Sequence, residues 1–458
     1  MPVNPFDDYP MSWRPEIDRN SVIYRSLAEQ LEKDIVSGKL LPGTMLPPQR
    51  ELADYLDINL ATVAKAFKIC SEKGILSSAV GRGTYVAYNA AARISSSVDD
   101  KNEVIEMGVM MPETVRQDEI NALLREILDE NDYGRYFQYS IHVDSWQRSA
   151  AADLLGQYGC ETAPERVCFS NGAQNILSAI MAGTFSPGDS IGTDPFIYAG
   201  LKSIASMFGV RLVRVGSEGG EMTEAGIRYA VKNRGVKALY IMPDCQNPTT
   251  HMMSREGREM IARVAEELDL IVIEDSMDRI VQEHTGATVY SMIPDRTFFV
   301  LSLSKAINPA LRLAFTAVPE RFLGRTESAL YNMNLSLSAL LLEIASRLIV
   351  SKRFDGVAED RRQGIRERNA ITDEVLAEYD LRGNELNLGR WLILPEGLTG
   401  SGFEKEAMRR GVSVYGGGRF AVGESMPYEA ARISICSPAD TDKLRRGLEV
   451  LKEILDQA

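Results

Sequence analysis

A lysine, an arginine and two serines in one short segment are the residues most suited to chemistry. Lys305 and Arg312 follow an apolar run at 298–301 that predicts a buried strand, and Ser302 and Ser304 lie just before the lysine. A lysine amine at a strand end can form an imine with an aldehyde, while hydroxyls and an arginine can bind a phosphate. The segment therefore predicts an anchor for pyridoxal phosphate, with Lys305 forming the imine.

Three further polar clusters follow apolar runs that predict strands. They are Gly172-Ala173-Gln174 after residues 167–169, Asn247 after residues 238–242, and Asp275 after residues 271–273. Short apolar runs alternate with helical patterns here, which indicates parallel strands joined by crossovers. Because ligands bind beyond the carboxyl ends of such strands, we expect all four clusters to share one crevice.

Each cluster suits one part of this cofactor. Free amides at a helix start, here at Gly172-Ala173-Gln174, suit a phosphate. The remaining roles follow from side-chain chemistry. They are Arg312 with Ser302 or Ser304 at the phosphate, Asp275 at the ring nitrogen, Asn247 at the phenolate oxygen and Tyr198 on the ring face.

Taken singly, these residues have ordinary alternatives. A loop lysine such as Lys305 is usually exposed, Asp275 could cap a helix, and Tyr198 could belong to the core. Their order and their placement at strand ends favour the joint interpretation. Residues from about 105 to 458 resemble the fold-type I aminotransferases. The matching motifs are Gly172-Ala173-Gln174, Asn247-Pro248, Asp275, Ser304-Lys305 and Arg312.

The resemblance implies one further site residue and contains one departure. In the family an arginine near the C-terminus binds the substrate carboxylate, and Arg432 stands at that position; a strand arginine paired with an acid is the alternative. Relatives place a tyrosine near the phenolate oxygen where this chain has Met277. A thioether is a weak acceptor, so we expect the cofactor to bind with a raised imine pKa or a changed colour.

The first 90 residues contain a different pattern. Amphipathic spacing predicts a helix over residues 24–37, and Pro47 and Pro48 begin a second helix over residues 49–56. A turn and a third helix over residues 60–72 follow, which is the helix-turn-helix arrangement. Residues 74–76 and 81–86 predict a two-stranded wing that bears Arg82.

This segment resembles the winged-helix domain of the GntR family of bacterial regulators. The motifs that carry the resemblance are residues 46–53, Thr62-Val63, residues 74–76 and residues 81–86. The resemblance implies DNA contacts by Arg50, Thr62, Lys65, Arg82 and Gly83. Where the family has an arginine, this chain has Leu60; Lys65 and Lys68 either compensate or are solvated helix residues.

Composition limits the remaining possibilities. A chain of 458 residues exceeds one hydrophobic core, so two or three domains are expected. The net charge of -13 disfavours nucleic-acid binding by the chain as a whole, but residues 21–90 are almost neutral. Without a secretion signal or a long apolar run, a cytoplasmic protein away from membranes is expected. Five scattered cysteines favour neither disulfides nor a metal site.

The combined prediction is an α/β chain: an N-terminal winged helix-turn-helix and a pyridoxal phosphate-dependent transferase domain of fold type I with a mostly parallel sheet. The predicted parts are residues 20–88, a linker at 89–104, and residues 105–458 with a small subdomain from about 350. This architecture resembles the MocR subfamily. The resemblance implies a homodimer that binds DNA, pyridoxal phosphate and an amine or amino acid. The alternatives are an active aminotransferase and a dimerisation domain without cofactor.

Overall fold

The computed structural model describes residues 11–19, 21–79, 83–88, 90, 94, 104–138, 143–283, 285–423 and 425–457. The chain forms two compact units, Met1–Glu103 and Val104–Ala458. Arg82 and most of the predicted linker at 89–104 lie outside the described residues. No helix among the described residues is long and apolar enough to cross a membrane.

The N-terminal unit contains three helices and a two-stranded sheet. Its elements are α1 (Ile23–Val36), α2 (Gln49–Leu56), α3 (Leu60–Glu72), β1 (Leu76–Ala79) and β2 (Gly83–Val86). The three helices lie within a residue of their predicted positions. The side chain of Asn59 fixes the start of α3, since its Oδ1 accepts a hydrogen bond from the Ala61 amide at 2.8 Å. The predicted helix-turn-helix is therefore confirmed.

The core of this unit lies between the helices. Leu27 and Leu31, one turn apart on α1, are buried with Val63 and Phe67 of α3. Trp13 belongs to the same core, and its indole Nε1 donates to Asp34 Oδ2 at 2.8 Å. The apolar residues predicted on these helices are not all buried.

Two of the apolar residues that we expected to pack remain accessible. Val36 is 60% exposed at the end of α1, and Ile69 of α3 is half-buried. Both lie at the edge of the apolar stripe of their helix, and periodicity alone defines that edge to within about one residue.

The wing is an antiparallel pair. Leu76 lies opposite Val86, and Ser77 lies opposite Tyr85. Gly83 starts β2 with a φ of +104°, a conformation that favours glycine. Met45 forms an additional antiparallel bridge to Tyr85, which attaches the wing to the segment before α2.

The second unit is larger and alternates strands with helices. Its helices are α4 (Gln117–Leu128), α5 (Ser145–Gln157), α6 (Ala173–Thr184), α7 (Ala199–Met207), α8 (Glu224–Arg234), α9 (Arg255–Glu267), α10 (Val289–Met292), α11 (Glu320–Asn334), α12 (Ala339–Val350), α13 (Arg353–Val375), α14 (Gly400–Arg409) and α15 (Thr441–Leu455). Its strands are β3 (Ile105–Glu106), β4 (Val167–Ser170), β5 (Ser190–Thr193), β6 (Arg211–Arg214), β7 (Ser217–Glu218), β8 (Glu221–Met222), β9 (Val236–Ile241), β10 (Ile271–Asp275), β11 (Thr297–Ser302), β12 (Ala314–Ala317), β13 (Leu381–Arg382), β14 (Gly389–Ile393), β15 (Val412–Ser413), β16 (Tyr415–Gly416) and β17 (Ala430–Ser434).

Seven of these strands form the main sheet, in the order β4-β12-β11-β10-β9-β5-β6. Strand β12 is antiparallel to both of its neighbours, while the other pairs are parallel. The mostly parallel sheet that we predicted is thus confirmed. Strands β4, β9, β10 and β11 all run in the same direction, so their carboxyl ends lie at one edge.

A smaller antiparallel sheet, β13-β14-β17-β16, lies in the C-terminal part of the chain. Strand β3 pairs in parallel with β15, so the start of this unit joins its C-terminal part. Met107, which follows β3, is buried in the same core as Phe403 and Leu448. Residues 105–107 therefore bring the N-terminal end of this unit to the small sheet.

Candidate functional site

The carboxyl ends of the parallel strands border a cavity of about 560 Å³. All of the predicted site residues in this unit except Gly172 line it. They are Ala173, Gln174, Tyr198, Asn247, Asp275, Ser302, Ser304, Lys305, Arg312 and Arg432. The fold thus brings together residues that are more than 250 positions apart in the chain, from Ala173 to Arg432.

Lys305 lies three residues after the end of β11 and lines the cavity. Its Nζ donates to the carbonyl oxygen of Met110. Burial lowers the pKa of the Lys305 amine, and the nearby Asp278 carboxylate acts in the opposite direction. A lysine whose pKa is lowered has more of the unprotonated amine that attacks an aldehyde.

Asp275 is the acid among the described residues of the cavity lining, and it is only 3% exposed. The sequence suggested that Asp275 follows the strand. In the structure it is the last residue of β10, because it pairs in register with Val300 of β11. The preceding Glu274 is tolerated in the strand because the amides of Val289 and Tyr290 donate to its carboxylate. The strand is consequently longer than its apolar run.

The two oxygens of the Asp275 carboxylate differ. Oδ2 accepts a hydrogen bond from the Tyr240 hydroxyl at 2.7 Å, whereas Oδ1 is buried without a hydrogen-bond partner among the described residues. Burial raises the pKa of Asp275 to about 6. A buried acceptor without a donor is costly, so Oδ1 suits a ligand with an N–H group.

The start of α6 forms a second polar region of the cavity. Gly172 caps the helix with a φ of +85°, and the first amides of the helix, at Ala173 and Gln174, precede its internal hydrogen bonds. Arg312 Nη2 lies 3.5 Å from the Asn171 carbonyl oxygen, and a Cβ at position 172 would lie only 3.1 Å from the same nitrogen. Glycine therefore permits the guanidinium to approach the helix start.

Hydroxyl groups complete this region. The Ser304 Oγ is buried without a hydrogen-bond partner among the described residues, and Ser302 Oγ accepts from the Ser304 amide at 3.4 Å. Tyr198, whose pKa burial raises, approaches Gln174 Oε1 at 3.5 Å. Helix amides, hydroxyls and an arginine are the donors that proteins use to bind phosphate.

Arg432 lies on β17 of the small sheet and is buried. Its Nη1 donates to Asn247 Oδ1 at 2.8 Å and its Nη2 to the Gly108 carbonyl at 2.5 Å, while the Phe420 ring centre is 4.7 Å away. Burial lowers its pKa to about 10, which still leaves the group charged at neutral pH. The ion-paired alternative is not what the structure shows, since both of these hydrogen bonds go to neutral oxygens.

Several cavity residues were missed from the sequence. They are Val109, Met110, Lys202, Ser203, Tyr415, Arg419 and Phe420. Met110 lies in a segment of residues 108–111 that we call the strap, which accepts hydrogen bonds from Lys305 at Met110 and from Arg432 at Gly108. No motif marks the strap, because its contacts are made by backbone carbonyls. Met277 also lines the cavity.

The predicted DNA-contacting residues lie on the N-terminal unit. Arg50 on α2 and Lys65 on α3 are exposed, and Thr62 of α3 is half-buried. The Lys65 amine lies 3.9 Å from the centre of the Tyr24 ring, which restrains this side chain. Gly83 starts β2, while Arg82 is outside the described residues.

Comparisons with known families agree with the division into two units. Residues 104–451 match the family described as "Aminotransferase class I and II". Residues 23–86 match "Bacterial regulatory proteins, gntR family".

Two curated relatives and one solved structure illustrate the similarity. The chain is 42% identical to the uncharacterized HTH-type transcriptional regulator YdeF of Bacillus subtilis (strain 168), over 100% of this chain and 99% of the relative. It is 25% identical to the probable rhizopine catabolism regulatory protein MocR of Rhizobium meliloti, over 74% of this chain and 73% of that protein. An archaeal alanine:glyoxylate aminotransferase superimposes with a TM-score of 0.72 at 21% identity, over 79% of this chain and 93% of that one.

Proposed function

The chain belongs to the MocR subfamily of GntR-family regulators, with a GntR-type domain before an aminotransferase class I and II domain, and we propose that it senses pyridoxal phosphate. It is a transcriptional regulator with a DNA-binding unit and an aminotransferase-like unit. In the proposal, Lys305 binds the cofactor covalently and the occupied cavity changes DNA binding. The observation that supports this proposal is that the side chains suited to each part of the cofactor all line one cavity.

The residues of the cavity fit the cofactor part by part. The buried, unpartnered Oδ1 of Asp275 suits the protonated ring nitrogen, and Asn247 suits the phenolate oxygen because Arg432 orients its amide by donating to Oδ1. The helix start, Arg312 and Ser304 suit the phosphate. Bound there, the cofactor would supply an aldehyde and an electron-withdrawing ring.

An amine or amino acid is the second proposed ligand. Arg432 is buried in the cavity wall, and a carboxylate offers its guanidinium a stronger acceptor than the neutral carbonyl of Gly108. The amino group of the same ligand would lie toward Lys305, where it would compete with the lysine amine for the cofactor aldehyde. The identity of the side chain depends on cavity shape, which many substrates of this fold share.

The strap offers a route by which occupancy reaches the DNA-binding unit. The amine of Lys305 and the guanidinium of Arg432 donate to strap carbonyls. A cofactor held on the Lys305 nitrogen would leave that nitrogen at most one N–H for the Met110 carbonyl, and a carboxylate bound to Arg432 would compete with the Gly108 carbonyl. The strap lies four residues after Val104, where the second unit begins. A ligand shifts DNA binding only if it favours one strap arrangement, and in this proposal it does so by replacing the two contacts to the strap.

A homodimer is the proposed assembly, since aminotransferase domains of this fold build each active site from two subunits. Large apolar side chains on the surface of the unit support this: Phe137 is 68% exposed, Leu335 52% and Tyr331 51%. A second copy would cover them and place two winged helices on repeated half-sites. Sedimentation of the purified protein at micromolar concentration should give twice the mass of one chain.

The direct test of the proposal is a gel shift with DNA from upstream of the protein's own gene, at a stated salt concentration, with and without pyridoxal phosphate. We expect specific retention that changes with the cofactor. Retention that is specific but indifferent to the cofactor would contradict sensing and leave DNA binding intact.

An active aminotransferase is the second candidate, because the same groups suit transamination. Turnover of amino donors with a keto acid at roughly 1 to 1,000 per second would establish it.

Leu60→Arg is expected to tighten DNA binding. Leu60 is the first residue of α3, is 39% exposed, and replaces the arginine found in related winged helices. A new phosphate contact should steepen the slope of log K against the logarithm of the salt concentration by about one unit. It should also improve affinity about tenfold at low salt. Val36→Arg, which adds the same charge at the exposed end of α1, is the control. Equal effects of both variants would mean that only net charge matters.

Met277→Tyr is expected to lower the pKa of the imine formed with the cofactor. Met277 lines the cavity, and a phenol there would donate to the phenolate oxygen, which stabilises the unprotonated imine. One such hydrogen bond contributes about 1 kcal/mol, so the colour change with pH should move down by about one pH unit. Met252→Tyr, in a different cavity, should leave the titration unchanged. An unaltered titration in Met277→Tyr would contradict this placement.

A further inference from the structure

A second cavity, of about 530 Å³, lies in the aminotransferase-like unit and shares no lining residue with the Lys305 cavity. Its volume falls within the range of small-molecule sites. The side chains that matter for its chemistry are Asp194, Arg214, His251, Arg382 and Tyr428. None of them has a role in the function proposed above.

Asp194 is the group of this cavity that lacks a partner. It directly follows β5, is only 7% exposed, and its Oδ1 is buried without a hydrogen-bond donor among the described residues. Burial raises the pKa of Asp194 to about 7, and the nearby Glu221 carboxylate adds to this effect. A ligand that brings a charged donor would remove the cost of this unpaired carboxylate.

The neighbouring polar groups, in contrast, are satisfied within the protein. Glu221 accepts hydrogen bonds from the Ser254 amide at 2.6 Å and the Ser254 hydroxyl at 2.8 Å, and its Oε1 lies 3.1 Å from His251 Nε2. Gln246 Oε1 accepts from the amide and hydroxyl of Thr249 at 2.9 and 2.8 Å. The unpaired state of Asp194 is therefore specific to that side chain.

The lining of this cavity also carries positive charge. Arg214 and Arg382 are both exposed, and the Arg382 guanidinium lies 5.4 Å from the centre of the Tyr428 ring. Arg382 donates to both oxygens of Asp380, from Nε at 3.4 Å and from Nη2 at 3.3 Å, but this pair is half exposed, so water screens it. Arg214 Nη1 donates to the Ser425 carbonyl at 3.4 Å. Both guanidinium groups keep further donors for an anion.

We propose that this cavity binds a small amine that also carries a carboxylate or a phosphate. Its ammonium group donates to Asp194, its anionic group lies against Arg214 and Arg382, and its apolar part packs on Tyr428. The inference goes beyond the function proposed for the Lys305 cavity and does not depend on it. It gives the regulator a second ligand site that acts without covalent chemistry.

The test is calorimetric titration of the full-length chain after saturation with pyridoxal phosphate and reduction with borohydride, which prevents any imine exchange at Lys305. The probes are ω-amino carboxylates of two to six carbons and O-phosphoethanolamine; hexanoate is the probe without an amine. We expect one bound probe per chain from at least one of the two series, and weaker binding of hexanoate. The series that binds distinguishes a carboxylate from a phosphate ligand.

Four variants locate the binding. Asp194→Asn should weaken it at least tenfold and Arg382→Gln several-fold, whereas Glu218→Gln, an exposed charge change beside the cavity, and Arg432→Gln, in the other cavity, should leave it unchanged. Arg382 is exposed, so its variant carries little risk of misfolding, and thermal melting checks Asp194→Asn. Absence of heat with every probe, or binding lost only in Arg432→Gln, would overturn the proposal.

Discussion

A Lys305→Ala variant saturated with pyridoxal phosphate lacks the visible absorbance band of a protein-bound imine. The variant has no amine at the end of β11, so the aldehyde has nothing to condense with at that position. The visible absorbance should fall to that of the free cofactor. DNA retention by this variant should no longer respond to the cofactor, because the link from Lys305 to the strap carbonyl of Met110 is removed.

Lys202 provides the matched control for this prediction. It lines the same cavity, burial lowers its pKa as well, and its Nζ donates to the Arg419 carbonyl at 3.1 Å. Lys202→Ala should keep the band, and borohydride reduction followed by peptide mass spectrometry should place the cofactor on the Lys305 peptide. A band that survives in Lys305→Ala and disappears in Lys202→Ala would transfer the anchor to Lys202.

Local sequence signals were sufficient for the winged helix and for the strand-end clusters. The third helix was predicted correctly because Asn59 and the apolar residues Val63 and Phe67 follow rules that act within a few residues. The shared cavity of Gln174, Asn247 and Lys305 could be predicted because parallel strands end at the same edge. In both cases the information lies in short segments.

The opposite wall of the cavity could not be predicted in this way. Strand β3 pairs with β15, and the strap that follows contacts Lys305 and Arg432 through backbone carbonyls. Every residue type has a backbone carbonyl, so no sequence motif identifies these contacts. The unpaired state of Asp194 depends on the donors around it and not on its own segment. Contacts between distant segments therefore determine these features, and a single sequence does not display them.

Asp275→Asn is expected to weaken the binding of pyridoxal phosphate by roughly ten- to a hundredfold, since a hydrogen bond to a charged group contributes about 1.5–3 kcal/mol. Asparagine keeps the shape of the side chain and can still accept from the Tyr240 hydroxyl, but it offers no charge to a protonated ring nitrogen. Equilibrium titration of the cofactor, followed by absorbance or fluorescence, measures the change. Affinity within a factor of two of the original would contradict the pairing.

The same substitution should stabilise the protein without cofactor. Asp275 has a pKa of about 6 in the folded state against an ordinary value of 3.8, so the folded state binds the proton more tightly than the unfolded state. Its contribution to stability is therefore present below about pH 4, is lost as the pH rises to about 6, and stays lost above that. The difference between the two values corresponds to about 3 kcal/mol at most. Asparagine removes this loss, so between pH 4 and pH 6 the melting temperature of Asp275→Asn should fall less than that of the unsubstituted protein.

Asp194→Asn separates the two effects. Asp194 is also a buried acid with an unpartnered oxygen and a raised pKa, but it lines the other cavity. It should reproduce the gain in stability of the cofactor-free protein at neutral pH and keep the affinity for pyridoxal phosphate. If Asp275→Asn instead lowers stability at every pH, the carboxylate is a structural group of β10 and not one kept for a ligand. We expect Asp275→Asn, but not Asp194→Asn, to raise stability and lower cofactor affinity at the same time. That result would mean that the fold tolerates the buried charge of Asp275 because the bound cofactor compensates it.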